Sequence, residues 1–167
     1  MAHDARAIAN FLLDYADSKR KSVTVMTLLK IIYFAHGWHL ARTGDQLVSN
    51  AFEAWKHGPV VRCVYDCFRD SESSPIRGRA SRFNVATGKH EVVGYSLADT
   101  EREFLEHIFE AYSRFSALQL SDMTHEKNSP WDRVWNAPAG KVTLGMRISD
   151  QAIKGHFLNG GPRASGH

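Results

Sequence analysis

The segment from Ser22 to Arg42 limits the folds open to this chain more than any other. Leu28, Leu29, Ile32, Ala35, His36, His39 and Leu40 recur at helical spacing and define an inner face. Tyr33, Phe34 and Trp38 add large aromatic surface outside that stripe. A helix that is apolar around most of its circumference has to be surrounded, so the spacing predicts a central helix with the rest of the chain packed around it. It should begin near Ser22 or Thr24 and stop at the turn Thr43-Gly44-Asp45. A chain of 167 residues has enough material for this in one domain. Residues 1–160 are expected to form that domain, with 161–167 a flexible tail.

The flanking segments supply the surrounding elements. Ile8, Phe11, Leu12, Tyr15 and Ala16 make an amphipathic helix of residues 4–17. Residues 47–56 read as extended, through Val48, Phe52 and Trp55. Val60, Val61, Val64, Tyr65 and Phe68 mark a third helix, and residues 71–80 a surface loop. Segments 82–85 and 91–93 flank Thr87-Gly88-Lys89 as a β-hairpin. Thr100-Glu101-Arg102-Glu103 has the form of a capping box, opening a helix that runs toward Phe115. Ser116, Ser129 before Pro130, and Ser149 are placed to cap three further helices. The expected class is mainly α, a compact multi-helix domain with a small β-hairpin or short antiparallel sheet.

Composition narrows the function. No apolar run approaches the ~20 residues that span a bilayer, and the charged start Met1-Ala2-His3-Asp4-Ala5-Arg6 lacks a signal-peptide core. A cytoplasmic protein is expected. A net charge of +3 and a pI near 9.0 tolerate an acidic partner. They fall short of the concentrated basic stripe of a nucleic-acid binder. Glycine-rich phosphate loops and nucleophile elbows are missing from the sequence, and no cofactor is expected.

One run has the look of an active site: Glu53-Ala54-Trp55-Lys56-His57-Gly58-Pro59-Val60-Val61-Arg62. Pro59 fixes its own φ and favours extended geometry at Gly58. That predicts a sharp passage from strand to helix, with Trp55 plugging the core beneath and His57 fastening the turn through its side chain. Two chemical readings compete with this structural one. His36 and His39 on one helix, with Cys63 and Cys67 on another, offer four nitrogen and sulfur ligands to zinc. Their spacings are not those of a zinc knuckle, and both pairs sit on apolar faces, so buried small residues and core or rim histidines explain them better. A thiol nucleophile, Cys63 or Cys67 with His57 as base, has no orienting third residue and again lies on a packing face. A metal- or thiol-dependent enzyme and a nucleic-acid-binding regulator are the alternatives carried forward.

Four blocks in order carry a family resemblance. They are Leu28 to Ala41, ending Gly37-Trp38-His39-Leu40-Ala41; Phe52 to Val61; Val64-Tyr65-Asp66-Cys67-Phe68; and Leu120 to His125 followed by Ser129-Pro130-Trp131. Together they resemble the Panacea domain of bacterial and phage toxin–antitoxin proteins, of the SocA type and the phage-associated GepA type, over roughly residues 4–158. Gly37, Trp38, Glu53, Trp55, Gly58, Pro59, Ser129 and Pro130 are its markers here. The resemblance implies a mainly helical antitoxin that binds and neutralises a cognate protein toxin, without catalytic residues of its own. In the SocA type it further implies an adaptor that presents the toxin to the ClpXP protease. Toxin contacts are expected at Trp38, Trp55, His57, Arg62, Tyr65 and Trp131, as aromatic and arginine anchors of an interface of standard size. Core packing competes for each tryptophan.

Overall fold

The computed structural model describes residues 1–138, 140 and 144–162. Its helices are α1 (Ala5–Ser18), α2 (Val25–Thr43), α3 (Arg62–Phe68), α4 (Asp99–Tyr112), α5 (Ala117–Thr124), α6 (Pro130–Trp135) and α7 (Asp150–Leu158). The strands are β1 (Phe52–Trp55), β2 (Gly58–Val60), β3 (Ser81–Asn84), β4 (Lys89–Val92) and β5 (Arg147–Ile148). The fold is mainly α with two small antiparallel sheets, one ordered β2-β1-β5 and the other the β3–β4 hairpin.

Helix α2 is the axis. Thr24 caps it, its hydroxyl accepting from the Thr27 N–H. Gly44 closes it in the left-handed region at φ 80°, its N–H bonded to the Leu40 carbonyl. Every residue from Leu28 to Gly37 is buried. Helices α1, α3, α4, α5 and α7 and strand β2 all pack on it. The closest approach is to α7. A Cβ on Gly37 would stand 2.2 Å from the Phe157 ring, so only glycine admits that ring. The Asp150 end of α7 is tied to α2 by His36, which is wholly buried. Its Nε2 lies 2.8 Å from Asp150 Oδ1, and its Nδ1 accepts from the Val48 N–H. Val48 therefore places the ring proton on Nε2, facing the carboxylate.

Asn10 does the corresponding task for the β3–β4 hairpin. It is 2% exposed; its Nδ2 donates to the carbonyls of Ala80 and Val93, and its Oδ1 accepts from the Ala80 N–H. One buried amide thus clamps both ends of an arm whose own residues are largely exposed.

Several expectations need correction. Gly58 and Pro59 do not make a strand-to-helix corner. They begin β2, which folds back on β1 with Trp55 opposite Gly58, Ala54 opposite Pro59 and Glu53 opposite Val60. Pro59 fits because β2 is an outer strand of its sheet, where an N–H can be spared. The third helix starts at Arg62, not Val60. The N-cap of helix α4 lies two residues before the expected one at Thr100. Ala98 stands at its N-cap without a hydroxyl, and only the reciprocal half is made, Glu101 accepting from the Ala98 N–H at 3.0 Å. Within the expected tail, Gly161 and Pro162 are buried, Gly161 against the Trp38 ring, and residues 163–167 lie outside the described residues.

Replacing Asn10 by alanine removes three hydrogen bonds and leaves buried backbone groups unpaired. A loss of about 2–3 kcal/mol is expected in chemical denaturation. Faster amide exchange should be confined first to residues 80–93.

Candidate functional site

Strands β1 and β2 form a two-residue hairpin whose loop is Lys56-His57. Three carbonyls along this hairpin are each held by a side chain from a different helix. Trp131 Nε1 on α6 donates to the Trp55 carbonyl at 2.7 Å. Ser121 Oγ on α5 donates to the His57 carbonyl at 2.7 Å. Lys30 Nζ on α2 donates to the Pro59 carbonyl at 3.3 Å. Gly58 lies in the middle at φ 118°, and a Cβ there would sit 2.5 Å from Lys30 Cε and 2.7 Å from Thr124 Oγ1. Glycine is required for both reasons, the backbone conformation and the space.

A groove of about 310 Å³ opens between this hairpin, α2 and α3. Val25, Leu29 and Val60 lie buried at its base, Met26, Trp55 and Tyr65 are half-buried, and Lys56, His57, Arg69 and Glu72 are exposed around it. Its volume is at the bottom of the ~300–1,000 Å³ range of small-molecule sites. Trp55 and Tyr65 meet edge to face at 4.8 Å. Arg62 lies over the Trp55 ring at 5.1 Å, its guanidinium held by both oxygens of Glu53. Glu53 also accepts from Trp55 Nε1 at 3.2 Å.

Lys30 is the electrostatic anomaly. It lines the groove yet is only 1% exposed, and among the described residues its one hydrogen-bond acceptor is the Pro59 carbonyl. Burial pushes its amine down from the ordinary 10.5 to about 7. Nearby, His125 stacks on Trp131 at 3.9 Å, and its Nε2 is buried without a hydrogen-bond partner among the described residues. Burial is the main cause that lowers its pKa, and the Lys30 charge adds to it.

The structure brings Trp55, His57 and Tyr65 to one groove, with Arg62 braced on the far side of Trp55. Trp55 is half-buried, so it is not the core plug expected from sequence. The His57 carbonyl fastens the hairpin, not its ring. Trp131 is 6% exposed and works from behind the hairpin. Trp38 is elsewhere. It donates to the Tyr112 hydroxyl at 2.7 Å and borders a separate hollow with Phe104 and His107. Ser129 and Pro130 start α6, the Ser129 hydroxyl accepting from the Asp132 N–H. Lys30, inside the run Leu28-Leu29-Lys30-Ile31-Ile32, was missed. A lysine midway along a helix apolar on all sides is buried along with that helix, and that was the signal.

The residues of the enzyme readings lie apart in role. His36 is locked to Asp150, and His39 Nδ1 bonds the Asp45 carbonyl at 2.8 Å. The expected burial of both cysteines fails for Cys67, which is exposed and donates to the Ser81 carbonyl. Cys63 is half-buried, and burial pushes its thiol up to about 11, away from a reactive thiolate. Among the described residues, no three His, Cys, Asp or Glu side chains converge as a metal site. No helix among them is long and apolar enough to cross a membrane.

The motif blocks that meet at this hairpin define the class. Residues 28–132 match the family described as "Antitoxin SocA-like, Panacea domain". The chain belongs to that family. It is 39% identical over 154 residues to Antitoxin SocA of Caulobacter vibrioides (strain NA1000 / CB15N), covering 92% of this chain and 82% of that protein. No solved structure matches it.

For Lys30 the sign of the pH effect is fixed. Between about pH 7 and 10.5 the unfolded chain holds a proton that the folded chain lacks, so this group's contribution raises stability as pH rises through that window. Lys30→Met should be more stable than wild type by about 1–3 kcal/mol below pH 7. The advantage should shrink toward pH 9.5 when both proteins are compared by urea denaturation.

Proposed function

We propose that this chain is the antitoxin of a toxin–antitoxin pair, a binding protein whose residues 1–160 act as one module in the cytoplasm to hold a protein toxin inactive. The observation that carries this is the 39% identity with a protein named as an antitoxin, across nearly the whole chain. The geometry agrees with binding rather than turnover. The groove suits one or two side chains of a protein partner, and its Trp55 and Tyr65, with Arg62 beside Trp55, are residue types that dominate interface energetics. Trp38 belongs to a second surface, beside Phe104 and His107. Two surfaces suit an adaptor that holds toxin on one and the ClpX unfoldase of ClpXP on the other, raising their effective concentration.

Co-expression of this chain should restore growth that the protein encoded in the adjoining reading frame arrests when expressed alone, and the two should co-purify. In the adaptor version, toxin half-life lengthens several-fold in cells lacking ClpX. Growth arrest that persists, with no complex formed, overturns the antitoxin reading. An unchanged half-life removes only the adaptor. The double variant Cys63→Ser, Cys67→Ser should protect cells as well as wild type. Lost protection from a folded double variant would favour thiol chemistry.

A further inference from the structure

Lys30 brings a buried amine, charged below about pH 7, into the structure without a buried anion. No carboxylate pairs with it among the described residues, and its ammonium has one carbonyl for three donors. A buried charge without a counter-charge is costly, and one acceptor at 3.3 Å relieves only part of that. The groove that opens on Lys30 is otherwise apolar at its base, and Lys56 and Arg69 stand exposed around it. Glu72 is the one acidic residue of the lining, and the nearby Glu53 carboxylate is already taken by Arg62 and Trp55. The site is therefore complete in apolar contact and short of one negative charge.

We propose that the groove receives an internal acidic segment of the toxin, in which an aliphatic or aromatic side chain fills the apolar base and a neighbouring Asp or Glu carboxylate pairs with Lys30. This rests on the antitoxin reading and adds the chemistry of the partner to it. Lys56 and Arg69 steer the segment in and supply the salt-dependent part of the affinity. The Trp55 and Tyr65 rings cover the apolar side chain, with Arg62 bracing Trp55 from outside. Lys30 then trades stability of the free protein for recognition in the complex.

The direct probe is a fluorescent, N-acetylated and C-amidated peptide carrying one Phe or Leu between glutamates, compared with versions carrying glutamine or lysine instead. Wild-type protein should bind the glutamate peptide at least 10-fold more tightly than the glutamine peptide, and the preference should shrink as salt rises. Lys30→Met should lose that preference while remaining folded and more stable. Lys56→Glu with Arg69→Glu, on exposed positions that leave the core alone, should abolish binding and carry the test even if Lys30→Met misfolds. Equal binding of the glutamate and glutamine peptides overturns the proposal, as does undiminished binding by both variant proteins. Binding that requires a free C-terminal carboxylate overturns it too. With the co-expressed toxin, a wild type that protects alongside variants that protect equally sinks the groove and leaves the antitoxin standing. Peptide binding with no protection by wild type sinks the antitoxin and leaves the groove.

Discussion

The burial of α2 on every side is the constraint from which the rest of the structure follows. Burying each large apolar side chain is worth about 1.5–3 kcal/mol, and α2 presents them around its whole circumference. No single neighbour can cover such a helix. Five helices and strand β2 are laid around it, and the order of elements in the chain is the order in which that covering is supplied. The polar groups that enter the covering are each answered locally. His36 meets Asp150 and Val48, and Asn10 meets Ala80 and Val93. Lys30, the one buried lysine or arginine among the described residues, meets a single carbonyl.

The β1–β2 hairpin is where the covering becomes specific. Its carbonyls at Trp55, His57 and Pro59 alternate along the chain, and each is claimed by a different helix. That explains why the motif blocks of the family, far apart in sequence, belong together. Leu28–Ala41 brings Lys30, Leu120–His125 brings Ser121, and Ser129–Trp131 brings Trp131. Phe52–Val61 is the hairpin they hold. Gly58 is needed because its neighbours, the Lys30 stem and the Thr124 hydroxyl, fill the space a side chain would take.

Much of this was legible in the residues. The central helix, its Thr24 and Gly44 ends, and the Ser116, Ser129 and Ser149 caps are local signals, and local physics set them. The hairpin was not legible, because the pre-proline rule describes residues with a Cβ and Gly58 takes the mirror-image φ. The N-cap of α4 at Ala98 was hidden by a stronger-looking hydroxyl at Thr100, since the sequence carries no sign of which turn comes first. Of the candidate site, Trp55, His57 and Tyr65 were recognisable as residue types. Their meeting with Lys30 depends on how β2 folds back over α2, a tertiary fact with no local signal.

The arrangement separates holding the fold from meeting a partner. The three bonds to the hairpin use backbone carbonyls on one side and buried side chains on the other, so they fix the hairpin whatever its exposed side chains are. Lys56, Arg69 and Glu72 lie outside that set, free in solvent to change sign or size at small cost to stability. Lys30 belongs to both sets, because the amine that holds Pro59 is also the charge at the base of the groove. A scaffold of this kind can keep one buried amine that holds its proton best beside an anion and let the surrounding exposed residues decide which acidic segment supplies that anion. Partner choice then follows from a few exposed charges, while the motif blocks maintain the hairpin that presents them.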